Sequence, residues 1–116
     1  MIRGVYRKDE ERHFLELTGH ADYAGYGQDI VCAGASALVC ALLGWLENNP
    51  QELWYSDADV HSGHVRLICE GGGETAAVFA MTVMGLLQLA DAYRDHVEME
   101  IHGFCEDAER ENREHE

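Results

Sequence analysis

Positive charge is scarce in this chain. Of its 116 residues, 8 are Lys or Arg and 22 are Asp or Glu, giving a formal net charge of −14. A surface so acidic repels the phosphates of nucleic acids and of anionic membranes, so neither is expected as a direct partner. Paired cysteine motifs are lacking as well: Cys32, Cys40, Cys69 and Cys105 show no CxxC and no regular spacing. The segment from Met1 to Arg7 has no long apolar stretch followed by a small-residue cleavage site. No apolar run reaches the length of a membrane span without Gly or polar interruption. These absences point to a cytoplasmic chain whose cysteines are reduced thiols. Gly71-Gly72-Gly73-Glu74-Thr75 lacks the Lys that follows a phosphate-binding glycine loop, and Glu74 would repel phosphate. The seven histidines form no local cluster of three or four ligands, so no metal and no cofactor is expected.

What is present reads as one globular domain. The apolar fraction of 47% is ordinary, and the length suffices for one compact core. Ile2, Gly4 and Tyr6 alternate with Arg3, Val5 and Arg7, and Leu15 and Leu17 share a face against Glu16 and Thr18. Two strands joined by the charged turn from Lys8 to Arg12 follow. Residues 19–28, with Gly19, Gly25 and Gly27, read as a loop. Asp29 then opens a helix over Ile30–Leu46 that is apolar nearly all round and is therefore expected to be central and largely buried. Asn48-Asn49-Pro50 stops it. Trp54–Val60 and His64–Cys69 read as a hairpin about Ser62-Gly63. A second helix is expected from Thr75, as its cap, to about Arg94, and a fifth strand over Val97–Ile101. The predicted fold is α+β, in the order β-β-α-β-β-α-β, with two helices packed on a mostly antiparallel sheet. Cys40 and Cys69 are expected in the core, and Trp45, Trp54, Tyr55 and Phe79 in the core or an interface.

The segment with chemical content runs from Gly19 to Ser36. Asp29 is a good N-cap, which places Cys32 in the first helical turn, where the positive end of the helix dipole favours a thiolate. Free N–H groups near Cys32 could also hold an oxyanion. His20 ends the second strand, and only a short loop separates it from Cys32, so closure brings nucleophile and base together at modest entropic cost. Gly25 and Gly27 give that loop freedom to order over a substrate, and Tyr23 and Tyr26 lie within it. Asp29 either caps the helix or orients the imidazole. Capping is the simpler role, because a free carboxylate beside Cys32 would oppose the thiolate. Ser36 lies one turn beyond Cys32 on the same face and is read as a supporting residue.

Gly19-His20-Ala21, followed by Gly27, Asp29, Val31, Cys32, Ala33 and Ser36, resembles the Gly-His-Ala and Gly-x-Asp-x-Val-Cys-Ala-x-x-Ser motifs of the bacterial ribosomal-processing cysteine proteases, with the spacing intact. The resemblance covers the chain to about Gly103. It implies a cysteine endopeptidase domain over residues 1–103. The acidic tail over 104–116 lies outside the resemblance, and its charged and polar composition reads as a frayed helix or disorder. The resemblance implies Cys32 as nucleophile and His20 as base. It also implies a homodimer and, as substrate, the N-terminal extension of the large-subunit ribosomal protein L twenty-seven, cut after an aromatic residue. Two other readings use the same fold. A non-catalytic ribosome-associated binding or assembly module would carry a Cys32 thiol of ordinary reactivity. An acyl-transfer or thioester enzyme would turn over a small acyl-thioester rather than a peptide.

Overall fold

The structure, a computed structural model, describes residues 1–25 and 28–103. The elements are β1 (Ile2–Asp9), β2 (Arg12–Thr18), α1 (Ile30–Asn48), a short 3-10 turn at Pro50–Glu52, β3 (Leu53–His61), β4 (His64–Gly71), α2 (Gly73–Ala92) and β5 (Val97–His102). The expected order is therefore the observed one. The sheet order is β3-β4-β2-β1-β5. Three of its pairings are antiparallel, whereas β1 and β5 run parallel, with Gly4 opposite Met99, so the sheet is mixed. Such a pairing needs a crossover, which the second half of the chain supplies.

Alternation in the strands selects one inner face. Ile2, Gly4 and Tyr6 on β1, His13, Leu15 and Leu17 on β2, and Leu67, Cys69 and Gly71 on β4 are buried, as Cys69 was expected to be. Both helices pack on that face. The buried residues of α1 are Val31, Ala35, Val39, Leu42 and Leu46, a single stripe at helical spacing. The expectation that α1 is largely buried is thus corrected: Ala33, Ser36, Ala37, Cys40 and Ala41 are exposed. In a two-layer fold a helix has the sheet on one side and α2 on another, and its small apolar residues can face outward. Length and composition alone would let either helix cross a membrane, but here each lays its buried stripe on the sheet.

The second helix begins at Gly72 as N-cap rather than at Thr75, whose hydroxyl instead donates to the Glu52 carbonyl at 3.2 Å. Thr75 is buried between the helix and the 3-10 turn and ties them together. Phe79, Val83 and Leu86 continue the inner face of α2.

The helix layer stops short of β3. Register places Ser56, Ala58 and Val60 on the helix-bearing face, opposite Cys69, Leu67 and Val65, yet all three are exposed. Trp54 and Tyr55 are exposed rather than part of the core. The uncovered strip beside α1 is a groove, and its upper end is where the chemistry collects. The tail expected over 104–116 lies outside the described residues.

Candidate active site

Asp29 starts the site. Its Oδ1 accepts from the Val31 and Cys32 N–H groups at 3.0 and 2.9 Å, and its Oδ2 accepts from the Tyr23 N–H at 3.0 Å. These bonds, that from Cys32 first, hold the carboxyl below the usual carboxylate range. One side chain thus caps α1 and clips the preceding loop to it. The cap also uses up the donors near Cys32 expected to be free. The Val31 and Cys32 N–H groups go to Asp29 Oδ1, and the Ala33 N–H goes to the Asp29 carbonyl at 3.1 Å.

The donor that does reach the thiol comes from elsewhere. The Ala21 N–H points at Cys32 Sγ, 3.2 Å away. Cys32 is half-buried, and Ala21 is buried beside it. One backbone donor thus fixes the sulfur at the N-terminal turn of the helix.

His20 reaches the groove by way of two turns. Gly19, at φ +89°, makes the bend out of β2, and a side chain there would run into the Met1 carbonyl. Its N–H donates to the Gly63 carbonyl at 2.9 Å, joining the end of β2 to the β3–β4 turn. Gly63, at φ +74°, lies beneath the imidazole, and a Cβ on it would come within 2.9 Å of His20 Nε2. His20 and Cys32 line one groove of about 300 Å³, at the lower end of the range for sites that take small ligands. Val39, Leu43 and Val60 give its far end an apolar lining.

The sequence-selected residues are thus gathered unevenly. Cys32, His20 and Ser36 line the groove, and Asp29 stands beneath Cys32 as a cap. His20 and Cys32 make no hydrogen bond with one another among the described residues, and Ser36 is exposed. Gly25 is exposed, a Cβ there would touch nothing within 4 Å among the described residues, and its carbonyl accepts from the Gln28 N–H at 2.9 Å. Neither crowding nor a positive φ requires glycine at that position. Gly27 and Tyr26 lie outside the described residues. Cys40 is not core, as expected, but exposed on the groove wall, because α1 turns that flank away from the sheet.

Sequence reasoning placed Ala21 in the motif but missed its donor role, and it missed His96 altogether. His96 follows α2, and its Nδ1 hydrogen-bonds the Ala21 carbonyl at 2.9 Å. Nothing local in the sequence links residues 75 apart. His61 and His64, which face each other across the turn at Ser62-Gly63, each meet a carboxylate: Asp59 at 2.6 Å and Glu16 at 2.9 Å. Among the described residues no group of three His, Cys, Asp or Glu stands close enough to hold a metal ion.

The family model described as Cysteine protease Prp matches residues 1–98, the span that builds this groove. The chain belongs to that family. As a member of the Prp family it is a cysteine protease. The ribosomal processing cysteine protease Prp of Mycoplasma pneumoniae is 33% identical over 88 residues, covering 76% of this chain and 86% of the relative. That of Staphylococcus aureus strain Mu50 is 31% identical over 87 residues, covering 72% of this chain and 80% of the relative. The fold agrees with solved Prp structures. The S. aureus protease, crystallised with a covalently linked product peptide, superposes with a TM-score of 0.78 at 23% identity, covering 87% of this chain and 99% of that one. SMU.848 of Streptococcus mutans gives 0.69 at 26% identity, covering 88% and 94%.

Proposed function

We propose that Cys32 is the nucleophile and His20 the general base of an endopeptidase that removes the N-terminal extension of the large-subunit ribosomal protein L twenty-seven. The observation that carries this reading is the position of Cys32 Sγ. It sits in the first turn of α1, takes the Ala21 N–H at 3.2 Å, and opens onto the groove that His20 also lines. The names of the curated relatives, which are ribosomal processing proteases, support the substrate class. The S. aureus structure with a linked product peptide supports a peptide in the groove.

The steps follow from the residues. The imidazole of His20 takes the thiol proton, and Sγ attacks the scissile carbonyl. Sulfur bonded to carbon is a poor acceptor, so the Ala21 N–H, held in place, is left free to donate to the oxyanion that develops beside it. The C–N bond breaks as the imidazolium gives its proton to the leaving amine. Water, deprotonated by His20, then attacks the thioester and releases the new carboxylate and the free thiol. Asp29 keeps the helix start rigid throughout and takes no proton. The apolar wall at Val39, Leu43 and Val60 gives an aromatic substrate side chain a surface to lie on. The active form is a homodimer in the cytoplasm.

A peptide spanning the extension and the mature N-terminus tests the substrate. The expected product pattern is one cut, after an aromatic residue, read by mass spectrometry. Random cutting, or turnover of small acyl-thioesters without peptide cleavage, would refute the assignment. The net charge of −14 further predicts that a basic substrate is drawn in electrostatically. KM for a Lys- and Arg-rich peptide should rise several-fold between about 50 mM and 500 mM salt, while a neutral analogue of the same cut site should hardly respond.

The two roles of Asp29 separate on Asp29→Asn. The amide oxygen can still accept from Val31 and Cys32, while the Tyr23 N–H loses its acceptor. Cleavage should stay within several-fold of wild type, with a modest fall in melting temperature. A loss approaching ~10⁴-fold, the scale seen when a true triad carboxylate is neutralised, would show that the charge orients His20 after all.

A further inference from the structure

The nucleophile's hydrogen bond has an outer support that neither catalytic residue supplies. Ala21 is clamped at both ends: its N–H donates to Cys32 Sγ at 3.2 Å, and its carbonyl accepts from His96 at 2.9 Å. A carbonyl can only accept, so His96 carries its proton on Nδ1. We propose that His96 is a positioning residue of this protease, holding Ala21 so that its N–H stays on the Cys32 sulfur and its carbonyl-side peptide cannot flip. The inference rests on the reading of Cys32 as the nucleophile.

The clamp acts through geometry. The Ala21 N–H belongs to the peptide that joins it to His20, and the Ala21 carbonyl to the next peptide. Fixing the carbonyl fixes the ψ angle of Ala21 and leaves little freedom in the preceding plane. The Ala21 side chain is 1% exposed, so the residue cannot swing outward to compensate. His20 shares that preceding peptide, so the same bond steadies the base.

His96 is itself held on several sides. Its carbonyl accepts from the Ile2 N–H at 2.9 Å, which docks it on β1. Its ring meets Tyr23 edge-on at 5.2 Å, and Tyr23 meets Tyr93 edge-on at 5.4 Å. Tyr23 is the loop residue whose N–H donates to Asp29. The cap on α1, Tyr23 and the end of α2 therefore converge on the Ala21 peptide that faces the thiol. Among the described residues, the ionisable groups bearing on this clamp are Tyr23 against the ring and Tyr93 against Tyr23, Asp95 and Arg94 beside it in the chain, Asp22 with the N-terminal amine 3.4 Å away, and Asp29 and His20 around Cys32.

The test compares two substitutions in the full-length protein. His96→Phe keeps a ring against Tyr23 but has no donor. His96→Asn loses the ring but places an amide N–H close to where Nδ1 stands. Cys32 alkylation by iodoacetamide is followed against pH, with the site read by peptide mapping, beside kcat and KM for the extension peptide. Relative to wild type, Phe should move the alkylation midpoint up by about one pH unit. It should lower kcat several-fold at neutral pH with KM little changed, and Asn should restore both. An unmoved midpoint in the Phe variant would overturn the proposal. So would an equal shift in Asn and Phe, since a donor returned to that place would then restore nothing. Should the Phe variant not fold, Asn against Ala offers the same contrast of donor against none. Failure of the Cys32 reading is distinguishable, because it would show in the wild type as cleavage that survives alkylation of Cys32.

Discussion

Replacing Cys32 by Ala will lower kcat/KM for the extension peptide by about 10⁴-fold or more, while Cys40→Ala will leave it within about two-fold of wild type. Both thiols lie on α1 and both line the same groove, eight residues apart. They differ in what surrounds the sulfur. Cys32 stands at the N-terminal turn, over the Asp29 cap, with the Ala21 N–H on Sγ. Cys40 stands two turns further on, exposed, where the dipole has faded and no donor reaches it among the described residues. A nucleophile's removal leaves only binding and oxyanion stabilisation, which explains the size of the expected loss. Cys32→Ser will show whether sulfur itself is needed: the hydroxyl fits the space but holds its proton far more tightly, so the variant should be nearly as inactive as Ala. Circular dichroism and melting temperature should be close to wild type in all three variants, since neither Cys32 nor Cys40 belongs to the fully buried core.

The second large effect concerns stability. Between pH 6.5 and 4 the fold should lose roughly 3 kcal/mol through one side chain, His13. His13 is fully buried on β2, with Nδ1 2.7 Å from the Tyr6 hydroxyl and its ring stacked on Phe79 at 4.7 Å. Nε2 is buried with no partner among the described residues. Burial, helped by the nearby charge of Lys8, pushes its pKa down to about 4, so the folded state holds the neutral ring. Burial likewise pushes the Tyr6 phenol up to about 12, keeping its proton in place. In the unfolded chain His13 binds a proton near its ordinary value. Over the interval the unfolded state therefore holds more protons than the native state, and stability falls as pH falls. The contribution of Asp29 is lost at lower pH, below the ordinary carboxylate range, because its pKa is lowered. Urea titrations at pH 7, 5.5 and 4.5 check the prediction.

The variants sharpen the test. His13→Phe alone leaves the buried Tyr6 hydroxyl without a partner and should cost about 1–3 kcal/mol at pH 7. The pair Tyr6→Phe with His13→Phe removes both polar groups and should come close to wild type at pH 7. It should also be much less sensitive between pH 6.5 and 4.5. A double variant whose stability falls with pH as steeply as wild type would place the acid sensitivity elsewhere.

The contrast between Asp29 and His96 shows what a sequence carries and what it does not. The Asp29 cap, the Ser62-Gly63 turn and the alternation of β1 are local: each depends on residues a few positions apart, and each stands where the pattern put it. His13 was also within reach, since it shares parity with Leu15 and Leu17 and so must point inward with them. Its polarity hid it. The parallel pairing of β1 with β5, by contrast, joins segments 95 residues apart, and no local signal distinguishes a parallel edge strand from an antiparallel one. His96 becomes visible only through that pairing, because β5 carries it to Ala21. The exposure of Cys40 has a similar origin. Apolar composition marks a helix as able to be buried, but the width of the layer above β3 decides which side is covered, and that width is a property of the whole sheet.

The central claim is that one sulfur performs the chemistry. Limiting iodoacetamide, with peptide mapping of each cysteine and residual peptide cleavage measured on the same samples, tests it most directly. The account predicts that cleavage disappears one for one with modification of Cys32 and is indifferent to modification of Cys40. Cleavage that persists with Cys32 fully alkylated, or that follows Cys40 instead, would contradict it.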